Sequence, residues 1–119
     1  MQFWRTDRLT MQTEITTLAE FEEIIKTNNA VAFYMSTPDC NVCKVLKPKL
    51  IDFLEKKFPG IVFVYINIAH AKELAAQKNV FTVPTILFYF YGREYIRKAR
   101  FVNLQELGNE LERIYTNIE

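Results

Sequence analysis

The sequence predicts an α/β domain, a three-layer α/β/α sandwich built on a central mixed sheet, and three observations carry that expectation. Two stretches, Ala30 to Met35 (AVAFYM) and Ile61 to Ile68 (IVFVYINI), are apolar or aromatic almost throughout, the pattern of strands buried on both faces. Between them, from Val42 to Phe58, apolar residues recur at helical spacing. A strand, a long helix and a second buried strand make a right-handed βαβ crossover with a parallel pair. A third apolar run, ILFYFY at 86 to 91, leads through Gly92 into a charged-apolar strand, which adds an antiparallel hairpin and makes the sheet mixed.

Length and composition set the bounds. A chain of 119 residues, 50% hydrophobic and 24% charged, is the size of one globular domain. Lys+Arg 15 against Asp+Glu 14 leaves a net +1, too weak a field to favour nucleic acid. With Gly 3 and Pro 4 there is no Gly-rich phosphate cradle or linker array. No apolar run approaches the ~18 residues of a bilayer span, so no membrane partner is expected. The opening MQFWRTDRLTMQ carries Arg5, Asp7 and Arg8 and lacks an apolar export core, which points to the cytoplasm. Residues 1–10 follow no period and are expected to form a loosely ordered extension in which Phe3 and Trp4 cover an apolar spot. The domain proper is residues 11–119.

Element by element, Met11 to Ile15 suits a short strand. Thr17 and Glu20 then form a T-x-x-E capping box that opens a helix with Leu18, Phe21, Ile24 and Ile25 on one face, stopped by Asn28 and Asn29. AVAFYM is the central strand. After the turn Ser36-Thr37-Pro38-Asp39, a long helix uses Val42, Val45, Leu46, Leu50, Ile51, Leu54 and Phe58 for its apolar face and is kinked at Pro48. Residues 71–78 make a short helix, Thr82-Val83-Pro84-Thr85 breaks the chain, and ILFYFY turns at Tyr91-Gly92-Arg93 into the edge strand EYIRKARFV at 94–102. Asn103 and Glu106 cap a last amphipathic helix along Leu104, Leu107, Leu111, Ile114 and Ile118. The core order is βαβαββα, with helices for both faces of the sheet.

The two cysteines, Cys40 and Cys43, fall directly after the carboxyl end of a buried strand and on the first turn of the following helix, where α/β domains place their crevices. At this spacing the sulfurs reach bonding distance if Cys40 occupies the cap with non-helical dihedrals. First-turn N–H groups and the helix dipole favour a thiolate on Cys40, below the ~8.5 of a free thiol. Cys43, a turn deeper, keeps its proton longer. The asymmetry gives Cys40 the role of nucleophile and Cys43 that of resolving thiol in disulfide exchange. Two other readings stand beside this one. The pair can be buried structural thiols, or it can supply two of four zinc ligands, which requires a metal bridging two chains because His70, the lone histidine, lies on another segment. His70 itself is expected at the surface.

With C-x-x-C-K followed by Pro48, Val83-Pro84-Thr85 before a strand, and the Gly92 hairpin, the chain resembles the thioredoxin family over residues 11 to 118, with the active-site motif C-N-V-C. The resemblance implies a thioredoxin-like three-layer sandwich and a thiol–disulfide oxidoreductase working mainly as a reductant of protein disulfides. It implies that Pro84 is cis and faces the cysteines, and that Val83 offers backbone groups to a substrate strand. It implies electrons from a thioredoxin reductase or a small thiol, with no organic cofactor and no metal. Asp39, beside the first cysteine, joins Val83 and Pro84 as a candidate for substrate contact.

The chain also departs from that family's pattern. Asp39-Cys40-Asn41-Val42-Cys43 stands where thioredoxins carry Trp-Cys-Gly-Pro-Cys. The Asp39 carboxylate at ~7 Å and an effective dielectric of ~40 opposes the thiolate by about 1 kcal/mol, while Lys44 and the helix terminus pull the other way. Tyr34 and Tyr65 occupy the positions of the family's buried aspartate and its lysine partner, and are expected to pack with an O–H partner each. Arg100 occupies the place of a small glycine flanking the substrate groove. These departures keep open a second function, a non-catalytic binding or redox-sensing module.

Overall fold

The computed structural model of the chain describes residues 15–118. The expected extension at 1–10 and most of the expected strand at 11–15 lie outside the described residues; Ile15 is buried and belongs to no strand. Helix α1 is Leu18–Thr27, and its capping box is complete. Thr17 Oγ1 accepts from the Glu20 N–H at 3.2 Å, and Glu20 Oε1 accepts from the backbone N–H groups of Thr16 at 2.8 Å and Thr17 at 3.1 Å. The bonds from Thr16 and Thr17 hold the Glu20 carboxyl below its ordinary range.

Strand β1, Ala30–Ser36, runs into α2, Asn41–Lys57, and then into β2, Val62–Asn67. A short α3, Lys72–Gln77, precedes β3, Thr85–Phe90, which turns into β4, Arg93–Ala99; α4, Leu104–Ile118, closes the domain. Among the described residues the sheet has four strands in the order β2-β1-β3-β4. β1 pairs parallel with β2, Tyr34 opposite Tyr65, and antiparallel with β3. β3 pairs antiparallel with β4, with a register shift at Phe88/Tyr89. The hairpin turn places Tyr91 at φ 53° and Gly92 at φ 82°, consecutive positive values that match the twist of the paired strands.

Alternation along β1 splits the core between two faces. Val31, Phe33 and Met35 pack with Phe21 and Ile25 of α1 and Leu74 of α3. Ala32 and Tyr34 pack with Cys43, Leu50 and Leu54 of α2 and Leu107 and Leu111 of α4. The sheet therefore lies between two pairs of helices, as the sequence predicts. Fully buried aromatics dominate both sides; truncating one of them, such as Phe33, to alanine costs about 3–5 kcal/mol.

Two expectations need correction. Val42 and Val45 are 53% and 58% exposed, so they do not belong to the buried face of α2, which is carried by Cys43, Leu50 and Leu54. The burial of Cys43 orients the helix and turns Val42 and Val45 aside. The last strand ends at Ala99, not at residue 102, because Arg100 takes a left-handed φ of 69°. Along β4 only Ile96 is buried, as suits an edge strand. Arg97 on that edge pairs with Glu94 at 2.8 Å and donates to the Lys78 and Asn79 carbonyls at the end of α3. Asn103 caps α4 as expected, its Oδ1 accepting from the Glu106 N–H at 2.9 Å.

Candidate active site

The site is assembled where β1 hands over to α2. Cys40 caps α2 with extended dihedrals, φ −87° and ψ 107°, outside the helix. Its N–H donates to the Thr37 carbonyl, and its own carbonyl accepts from the Lys44 N–H, each at 3.2 Å. Its Sγ accepts from the Cys43 N–H at 3.2 Å, so a sulfur takes the part that a serine or aspartate oxygen usually plays at a helix start. That donor, with the positive end of the helix dipole, stabilises negative charge on Cys40. The two sulfurs are bonded to each other, with Cα atoms 5.3 Å apart. Cys43 is only 3% exposed, whereas Cys40 is half-buried. Of the bonded pair, Cys40 is thus the more accessible residue and Cys43 the buried one.

Asp39 is exposed, and its Oδ1 accepts from the Thr37 hydroxyl at 2.8 Å, which keeps the carboxylate in the turn. Val83 is half-buried and Pro84 buried; the peptide bond between them is cis. The Pro84 carbonyl accepts from the Arg100 N–H at 2.8 Å. Beneath the cysteines, the buried Tyr34 hydroxyl donates to the Cys43 carbonyl at 2.8 Å. Burial, helped by Tyr65, pushes this phenol up to about 12. The Tyr65 hydroxyl accepts from Ser36 Oγ at 3.3 Å, and Lys47 Nζ lies 4.2 Å from the centre of its ring. Each tyrosine oxygen therefore has a hydrogen-bond partner, and Tyr34, whose proton burial holds in place, offers no base at neutral pH.

Residues that, Arg100 apart, the sequence reading did not assign to the site line a groove of about 1040 Å³ between the start of α2 and the loop after β4. Val42, Val45 and Leu46 form one wall; Arg100, Phe101 and Val102 form the other. Phe101 is 84% exposed. The spacing of Val42, Val45 and Lys49, a second stripe beside the one through Cys43, was the available signal. Among the described residues no group of three or more His, Cys, Asp or Glu is gathered to hold a metal ion, and no helix is long and apolar enough to cross a membrane.

A mixed sheet between helix pairs, carrying a C-x-x-C disulfide at a helix start, defines a thiol–disulfide oxidoreductase. The family model for thioredoxin matches residues 12–113, and the chain belongs to the thioredoxin family. It is 37% identical over 103 residues to the thioredoxin-like protein YdfQ of Bacillus subtilis, covering 87% of this chain and 91% of that protein. The fold superposes on thioredoxin from Trypanosoma brucei brucei with a TM-score of 0.76 at 16% identity, covering 92% of this chain and 95% of the other. It superposes on oxidised mitochondrial thioredoxin 3 from Saccharomyces cerevisiae with a TM-score of 0.72 at 22% identity, covering 84% and 92%. Family and cysteine pair together make the chain a protein disulfide reductase and do not favour the binding-only alternative.

Proposed function

We propose that Cys40 is the nucleophile and Cys43 the resolving thiol of this reductase. The observation that carries the assignment is the Cys43 N–H directed at Cys40 Sγ on a half-open helix cap, with Cys43 shielded beneath. In the dithiol form Cys40 attacks one sulfur of a client disulfide. A Cys40–client bond forms, the client S–S bond breaks, and the other client sulfur leaves as a thiolate that takes a proton from solvent. Cys43 then loses its proton and attacks Cys40 Sγ, expelling the second client sulfur. The client gains two electrons and two protons, and the disulfide seen here is the oxidised product.

Val83 and Pro84, with Asp39 at the rim, receive the client segment around its disulfide, and the groove along Val42, Val45 and Phe101 extends that surface. Clients are disulfide-containing proteins. A flavoprotein thioredoxin reductase or a small thiol returns the electrons, and the cytoplasm, with its reducing poise, is the setting in which a reductant of this kind turns over. Reduction of insulin disulfides with dithiothreitol tests the roles. Cys40→Ser is expected to abolish catalysed turnover, and Cys43→Ser to accumulate a client mixed disulfide on Cys40. Full activity in Cys40→Ser overturns the assignment.

A further inference from the structure

Resolution requires Cys43 Sγ to approach the Cys40–client bond in line while Cys40 carries a large substituent. The first turn of a helix is its least secured part, because its N-terminal N–H groups lack partners in the ladder. In α2 the weakness extends further. Pro48 offers no N–H to the Lys44 carbonyl, so a rung of the ladder just beyond the cysteines is missing. Once the Cys40–Cys43 bond opens, the cap loses its covalent tie as well.

A hydrogen bond from outside the helix remains on Cys43 itself. The Tyr34 hydroxyl reaches the Cys43 carbonyl from β1, the strand paired on both sides. The donor is itself fixed: the Tyr34 ring is fully buried, with the Phe63 ring 5.8 Å and the Tyr65 ring 6.4 Å away. We propose that Tyr34 is a positioning residue for the resolving step, its hydroxyl anchoring the first turn of α2 to the central strand so that Cys43 Sγ stays aimed at the client-bearing sulfur. This rests on the assignment of Cys40 as nucleophile and Cys43 as resolving thiol. Its hydroxyl is bonded to the Cys43 carbonyl, so it acts through the Cys43 backbone.

Tyr34→Phe keeps the ring and removes the donor. Rapid mixing of the reduced chain with a protein disulfide separates attack by Cys40 from resolution by Cys43. Attack is expected to be unchanged and resolution to slow about fivefold, the worth of one hydrogen bond. The effective concentration of the dithiol, read by equilibration with glutathione, is expected to fall by a similar factor. Tyr65→Phe, which loses a hydroxyl bonded to Ser36 rather than to Cys43, is expected to leave both readouts unchanged.

A purely structural hydroxyl would lower the unfolding midpoint of Tyr34→Phe and leave resolution and effective concentration at native values, which overturns the proposal; so does an equal loss in Tyr65→Phe. In the native chain a slowly exchanging Tyr34 hydroxyl proton is expected in both the disulfide and dithiol forms, and one seen only in the disulfide form also overturns it. Failure of the underlying assignment is separate, since it appears as attack that survives Cys40→Ser whatever stands at position 34.

Discussion

The backbone N–H of Arg100 donates to the carbonyl oxygen of Pro84 across 2.8 Å, tying the loop that leaves β4 to the loop that enters β3. Arg100 adopts φ 69° to make this bond, a left-handed conformation that costs a residue with a side chain about 1–2 kcal/mol. Arg100→Gly is expected to keep the fold and to shift stability by less than about 1 kcal/mol, because relief of that cost is offset by the freer unfolded chain. Arg100→Val, branched at Cβ, is expected to lose about 2 kcal/mol. Urea unfolding of the two variants checks the difference, and equal stabilities contradict it.

Phe101 follows Arg100 and stands 84% exposed on the groove beside α2. Covering such a ring with a client segment contributes about 1 kcal/mol or more. Phe101→Ser is therefore expected to raise KM for a protein disulfide about fivefold while leaving the reduction of a small aromatic disulfide unchanged. Equal effects on both substrates would place Phe101 outside client docking.

Two phenols link stability to alkaline pH. Burial pushes both Tyr34 and Tyr89 up to about 12; Glu94 reinforces the shift at Tyr89 and Arg97 opposes it. The unfolded chain releases these protons near pH ~10, so between that pH and the folded value the native state binds more protons than the unfolded state. Stability is thus complete below pH ~10 and falls as pH rises through 12, by on the order of 2 kcal/mol per phenol. Urea midpoints at pH 9 and 11.5 should show this decline, and Tyr89→Phe should reduce its steepness. A variant that declines as steeply as the native chain refutes the contribution of Tyr89.

The β3–β4 turn gives a simpler test. Gly92 has φ 82°, and a Cβ placed on it meets nothing within 4 Å, so an alanine there suffers only the backbone penalty. Gly92→Ala is expected to cost about 1 kcal/mol in denaturant unfolding, with activity unchanged. A loss beyond about 3 kcal/mol would mean that the turn carries more than its dihedrals.

The parts of this fold legible in the sequence are those whose signals are local. Thr17 and Glu20 announce their capping box because both partners lie within one turn, and the all-apolar AVAFYM has nowhere to go but a strand covered on both faces. Cys40 was readable as a cap because strand end, turn and helix start are contiguous. What escaped the sequence depends on distant partners. The apolar stripe of α2 does not say which of its edges the sheet covers, and Val42 and Val45 fall on the uncovered one. The end of β4 is set by a bond between Arg100 and Pro84, residues whose own local pattern continues the strand. The partner of Tyr34 was foreseen only as some hydrogen-bond acceptor, and its being the Cys43 carbonyl follows from how α2 lies over β1.

The most direct measurement is the pH dependence of alkylation of each thiol in the reduced chain, resolved by peptide mass. Cys40 is predicted to reach half its limiting rate well below the ~8.5 of an unperturbed thiol, with Cys43 lagging far behind at every pH. Two thiols that react alike, or a Cys43 that reacts first, would contradict a nucleophile at the helix start with its resolving partner beneath.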